Sequence, residues 1–381
     1  MMRRLVSGLL AALAFSAPAQ AALPPYTGAY EPQGVDERGL WMMMDEEERK
    51  LRDSGFVVRD PALNAYVRGV LCKTVGAERC GAVRLYIMRV PAFNASMAPN
   101  GMMQVWTGLL LRIHNESELA GILGHEYGHF EMRHSLAGFR HARSMTDIAS
   151  WMGFAGYSGL VVGQAAIGSI FAFDRGQEQA ADQAGFTFAQ AAPYRTAAIP
   201  ELWDRLMGET DASRAARGQR STRYDGNAFF STHPTDLQRA TTLRALAAKE
   251  AGGTDDGGAA YRAAMAPWMA GFLADQIKRN DFGGTEYLLG ELAKDGWTPE
   301  LLFARAELFR LRGNPRDLAT AAGFYRDCIA KGSTDAEARR GLGFALLRGQ
   351  SPDEGKQALR DYLAMKPDAQ DAAMIRMMIG Q

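Results

Sequence analysis

Hydrophobic positions recur with helical spacing through residues 36–80, interrupted by a charged patch from Asp45 to Arg49. The pattern changes at Arg84–Val90, a run rich in β-favouring residues that Pro91 stops, so a strand is predicted there. A loop with Asn94, Pro99, Asn100 and Gly101 follows, and Met102–Trp106 reads as a second strand. Together they predict a β-hairpin-like pair feeding a helix. That helix starts near Glu116, where Asn115 supplies a cap and Glu118, three residues on, completes a capping box. At about 100° per residue, Leu119, Ile122, Leu123, Glu126 and Phe130 share one arc. His125 and His129 lie at the edge of that arc, and Gly124 and Gly128 lie on the opposite side.

Trp151–Phe173 is a run of 23 uncharged residues with five glycines. Its length suffices for a membrane span. Tyr157, Ser158, Gln164 and Ser169 interrupt it, however, so a buried or membrane-surface element is the preferred reading over a true span. A helix holding Glu178 and Asp182 comes next. Residues 251–259, rich in Gly and Asp, read as a flexible linker. Beyond it the chain is helical with a weak internal repeat: Thr298–Asn314 aligns with Thr334–Gln350 at an offset of 36 residues. That offset is close to the helix-turn-helix period of about 34. Tyr325, Tyr362 and Pro367 fit a loose tetratricopeptide pattern, and a degenerate earlier unit is assigned to 261–296.

The length of 381 residues exceeds one ordinary domain. The chain divides into a processed segment at 1–21, a first domain at 22–250, the linker at 251–259 and a helical repeat domain at 260–381. Lys+Arg and Asp+Glu both total 43, which removes the charge excess expected of a nucleic-acid binder. Met1-Met2-Arg3-Arg4, an apolar run from Leu5 to Phe15 and Ala19-Gln20-Ala21 form the three parts of a cleaved export signal. Export to an oxidising compartment makes Cys72 and Cys80 candidates for a short disulfide loop, with two buried thiols as the alternative. Cys328 is left over for core packing.

His125-Glu126-Tyr127-Gly128-His129 is an H-E-x-x-H sequence on a predicted helix. Residues i and i+4 lie one turn apart, so two imidazoles reach a single zinc at about 2.0–2.1 Å. Glu126 is aimed at the attacking water rather than at the metal, as a general base. A third histidine at the spacing used by metzincins is missing. His134, five residues past His129, falls about 140° round the helix and so faces elsewhere. The third ligand is expected to be Glu178, with Asp182 one turn on the same face to hold the free N–H of a ligand histidine.

These residues, with Asn94-Ala95, Pro99-Asn100-Gly101, Thr107-Gly-Leu-Leu110 and Glu118-Leu-Ala120, resemble the Ste24/Oma1-type minigluzincin zinc metallopeptidase family. An export signal and C-terminal repeats place the resemblance in its periplasmic branch. It implies an α+β fold: a mostly helical zinc-peptidase domain with a small β-sheet, followed by an all-α tetratricopeptide-like domain. It implies one Zn2+ per chain on His125, His129 and Glu178, with Glu126 as base and acid. It further implies that Met102, Met103, Gln104 and Val105 form an edge strand that binds substrate backbone. His233, in Ser231-Thr-His-Pro234, matches the family's His-Pro…Arg element. It would stabilise the oxyanion or occupy the fourth zinc position, unless Pro234 merely opens a helix. Where the family has Ser-Arg, this chain has Asp174-Arg175, leaving the role of position 174 open. The implied substrates are misfolded or stalled outer-membrane proteins in the periplasm. Outer-membrane assembly machinery is an expected partner through the repeats, and 151–173 an expected membrane-surface contact. A chaperone or assembly scaffold with a latent zinc site is the alternative.

Overall fold

The computed structural model describes residues 31–152, 173–221, 236–250, 252–349 and 351–380. The export signal, most of 151–173 and His233 lie outside them. Helices α1 (Gly34–Asp53), α2 (Pro61–Val75) and α3 (Ala77–Gly81) precede strands β1 (Arg84–Met88), β2 (Ala95–Met97) and β3 (Met102–Trp106). Then come α4 (Thr107–Arg112), α5 (Glu116–Glu131), α6 (His134–Met152), α7 (Arg175–Ala191), α8 (Ile199–Ala216) and α9 (Asp236–Lys249). The C-terminal helices are α10 (Gly258–Ile277), α11 (Phe282–Leu292), α12 (Pro299–Arg312), α13 (Pro315–Ala330), α14 (Ala336–Arg348), α15 (Pro352–Met365) and α16 (Ala372–Ile379). The α+β class with a helical C-terminal part is therefore as expected. Among the described residues no helix is long and apolar enough to cross a membrane.

The sheet corrects two expectations. Its order is β1-β3-β2, with β1 parallel and β2 antiparallel to β3. The hairpin is thus β2–β3, closed by Gly101 N–H donating to Ala98 O at 3.0 Å with Gly101 at φ +90°. The Asn100 side-chain oxygen accepts from Met102 N at 3.2 Å and steadies the same turn. Met102, Met103, Gln104 and Val105 consequently form the central strand, paired on both sides, and have no ladder edge left to offer a substrate. The edge next to α5 is β2. Across the sheet, Glu48 of α1 accepts from Arg84 and Tyr86 of β1 and from Asn100, at 2.6–2.9 Å.

Cys72 and Cys80 are disulfide-bonded between α2 and α3, and Cys328 is buried, its Sγ donating to Pro299 O at 3.2 Å. The Gly-rich stretch before α10 is not a free tether. Asp256 O accepts from Ser117 N at 3.0 Å, Asp255 O from Arg195 N at 3.0 Å, and Tyr194 O from Gly253 N at 2.8 Å. A Cβ at Gly253 would run into the Pro193 carbonyl, so glycine here serves close approach rather than freedom. One hydrophobic core accordingly runs from Leu63 through Tyr261, Phe272 and Leu289 to Leu308. Tyr261 Oη donates to Leu110 O at 2.6 Å, and Arg89 pairs with Asp275 at 2.5 Å.

Further on, connections of two and three residues make α12–α13 and α14–α15 antiparallel pairs. Tyr325 and Tyr362, the repeat positions read from the sequence, are both buried in these pairs.

Candidate metal centre

The N-terminus of α5 keeps the predicted Asn115 cap, but the reciprocal half of the capping box goes to the His114 N–H rather than to that of Asn115. The Asn115 side chain accepts from Glu118 N at 2.9 Å, and Glu118 reaches back to accept from His114 N at 2.9 Å. Buried Glu118 is paired with Arg205 at 2.5 Å. The helix is not amphipathic, however: every residue from Ser117 to Phe130 is buried. Its glycine side, expected to lie away from the core, is where α7 packs. A Cβ at Gly124 would meet the Gly185 Cα at 3.0 Å, and one at Gly185 would meet Gly121 O and His125 N at 2.7 Å. Only glycines on both helices permit this approach, and the approach carries the α7 carboxylates to the histidines. Asp174 begins α7 with a full capping box, its Oδ1 accepting from Gln177 N at 2.8 Å and its N–H donating to Gln177 Oε1 at 3.0 Å. That gives position 174 its role: Asp serves there as the cap.

Three ligand atoms converge. His125 Nε2 and His129 Nε2 are 3.1 Å apart, and Glu178 oxygens lie 3.5 and 3.6 Å from them. A tetrahedral site with bonds of about 2.0–2.1 Å separates its ligand atoms by about 3.3 Å, so this buried triangle fits a zinc-sized ion. The other ring nitrogens are taken. Both Asp182 Oδ1 and Arg239 Nη2 lie 2.9 Å from His125 Nδ1; with that nitrogen donating to the carboxylate, the Nε2 lone pair is left for the metal. Asp182 is in turn held by Arg239 at 2.6 Å, and Arg239 lies over the Trp203 ring at 4.0 Å. Burial alone would raise the Asp182 carboxyl, but the Arg239 charge and the His125 hydrogen bond outweigh it and hold it at about 2. Burial lowers Arg239, and Asp182, Glu178 and Glu126 more than offset this, keeping the guanidinium charged. Glu126 is itself buried.

His134 corrects another expectation. Helix α5 stops at Glu131, and Arg133 takes a left-handed φ of +56°, so His134 leaves the helical track and opens α6. Its Nδ1 comes back to 2.8 Å from His129 Nδ1, while Phe173 stacks on the His129 ring at 3.9 Å between centroids. With His129 Nε2 turned to the metal, His129 Nδ1 is the donor and His134 the acceptor. His125, His129, Glu178 and Asp182 thus meet at one site with Glu126 buried beside them, and Met102–Val105 do not serve as expected. Two residues were missed, His134 and Arg239. The Arg239 signal was its place six residues after His233.

Residues 77–247 match the model of Peptidase family M48. That segment is similar to the metallopeptidases of this family, and His125, His129 and Glu178 within it form a buried group able to hold a metal ion. The chain is similar to the mitochondrial metalloendopeptidase OMA1 of Schizosaccharomyces pombe, 29% identical over 46% of this chain and 50% of the relative. It is also similar to the β-barrel assembly-enhancing protease of Yersinia pestis, 27% identical over 51% and 42%. Metalloprotease YcaL of Escherichia coli is 28% identical over 40% of this chain and 57% of the relative. The chain thus spans about half the length of the curated relatives it matches.

Proposed function

We propose that this chain is a zinc-dependent endopeptidase of exported proteins, with a catalytic domain at 22–250 and a tetratricopeptide-like client-binding domain at 260–381. The observation that carries the reading is the triangle of His125, His129 and Glu178, braced by Asp182. A bound Zn2+ would supply Lewis-acid polarisation of the scissile carbonyl. Glu126 takes the proton of the attacking water and returns it to the leaving amine. Asp182 and His134 hold the two imidazoles in the orientation that presents Nε2. The β2 edge at Ala95–Met97, which lies against α5, is assigned to the substrate backbone in place of Met102–Val105. His233 is assigned to the oxyanion or to closing the remaining metal position.

Misfolded or stalled outer-membrane proteins in the periplasm are the proposed substrates, supported by the export signal and by the name of the Yersinia relative. Outer-membrane assembly machinery is the proposed partner of the C-terminal helices, and a membrane surface that of 151–173. A chaperone or scaffold reading has one observation in its favour, a mostly apolar cavity of about 440 Å³ that includes Leu273, Ile277, Phe303 and Leu311. Glu126→Gln decides between them. Zinc content should stay at one per chain while cleavage of casein or of an unfolded outer-membrane protein falls by about 10²–10⁴-fold. Undiminished cleavage would exclude the assigned mechanism.

A further inference from the structure

A second cavity, polar and of about 400 Å³, opens away from the metal centre at the seam between the family-matched segment and the C-terminal helices. Arg112 of α4, Arg214 and Arg217 at the end of α8, and Arg279 in the α10–α11 connection all line it. Two carboxylates face these four guanidiniums. Glu209 is committed to Arg112, which is buried and also donates to Gly108 O at 2.9 Å. Asp281 lies 3.5 Å from Arg217 and accepts from Gly284 N at the start of α11. Arg214 and Arg279 are left with carbonyl and amide oxygens as their partners among the described residues. Arg214 Nε donates to Arg220 O at 2.7 Å, and Arg279 Nη1 donates to Pro91 O at 3.0 Å and to Gln276 Oε1 at 3.4 Å. Asp211, one turn before Arg214, accepts from the Ser221 hydroxyl instead.

We infer that this cavity is a binding site for a dianionic oxyanion of the phosphate class, held between Arg214 and Arg279. Each guanidinium uses part of its five-donor fork on the protein and has further N–H groups for a planar or tetrahedral oxyanion. Four guanidiniums face two carboxylates in the lining, and the excess of two positive charges matches a dianion. Burial and the nearby Arg112 lower the Arg279 pKa, as expected where positive charge is in excess. The volume exceeds a bare phosphate, and Phe93 and Leu206 give one wall an apolar face, so an organic phosphate monoester also fits. Because Arg214 comes from α8 and Arg279 from the C-terminal helices, the anion would join the two parts of the chain. This reading is independent of the peptidase mechanism.

The test is calorimetric titration of the zinc-loaded full chain at fixed ionic strength, with inorganic phosphate, glycerol 3-phosphate and succinate as separate probes. One saturable phosphate site is expected, weakened at least about tenfold by Arg214→Gln or Arg279→Gln, with zinc content unchanged. Arg214→Lys or Arg279→Lys serves if either of those variants misfolds, since it keeps the charge and removes the guanidinium fork, and weaker phosphate binding is again expected. Tighter binding of glycerol 3-phosphate than of phosphate assigns the apolar wall to an organic body, and the reverse assigns the site to the free anion. Equal affinity for succinate overturns the phosphate assignment. Phosphate binding that survives the double substitution, or no saturation at all, overturns the site.

Discussion

Helix α5 and helix α15 show two ways of building a helix into this chain. Helix α15 keeps Ala358, Leu359, Tyr362 and Leu363 inside and turns Arg360 and Glu354 outward, so its periodicity announces its packing. In α5 all residues from Ser117 to Phe130 are covered, and the pattern of apolar residues says little. There the small residues carry the information, because glycines let another helix close in. A helix that carries a buried site is specified by what it lacks as much as by what it presents.

Two glycine substitutions test this difference most severely. Gly185→Ala puts a methyl 2.7 Å from the backbone of α5, which cannot give way, so α7 must retreat with Glu178 and Asp182. A loss of about 3 kcal/mol and release of zinc on dialysis are expected. Gly341→Ala meets the buried Tyr325 ring, a side chain rather than the backbone of a helix that carries the site. It should cost about 1–2 kcal/mol in urea unfolding with zinc retained. Equal zinc loss in both variants would refute the contrast.

A smaller effect separates buried from exposed ion pairs. Asp182→Asn weakens the hold on His125, and a 10–100-fold drop in zinc affinity is expected by competition with a chelator. Glu354→Gln, which breaks an exposed bidentate pair with Arg326, should shift stability by no more than about 0.5 kcal/mol.

The pH response sharpens the comparison further. All six histidines precede residue 234, so histidine titration falls on the first part of the chain. Burial, then the Arg205 charge, lowers His114 to about 3, against 6.5 for the free side chain. The folded state keeps this imidazole neutral while the unfolded state takes up a proton, so stability falls as pH drops from 6.5 toward 3. The slope is about 1.4 kcal/mol per pH unit for this group. Unfolding of the metal-free chain at pH 6.5 and 5.5 should show it, and His114→Gln should flatten it. An unchanged slope in the variant would remove His114 as the cause.

The candidate ligands His125 and His129 were legible because two imidazoles reach one ion only from one turn apart, and Glu178 because Asp182, one turn on, stands where it can hold a ligand histidine. The central place of Met102–Trp106 was not, because strand order is decided by pairing, and β2 is three residues long with no β-branched side chain. His134 escaped because its position depends on a left-handed Arg133, which helical periodicity does not foresee. The stretch before α10 reads as a tether from its glycines, but Gly252 and Gly253 are there to let it lie against Pro193 and Tyr194.

The docking of that stretch bears on the order in which the chain can mature. The 63–308 core is completed by partners such as Tyr261 and Leu110, 151 positions apart. Nascent chain lacking the α10–α12 region would therefore hold an unfinished core, with the apolar surface that Tyr261, Met265 and Phe272 cover left bare. Closing contacts of such separation is slow and leaves the intermediate prone to association. Acquisition of the metal-binding geometry is thus tied to helices synthesised well after the last ligand.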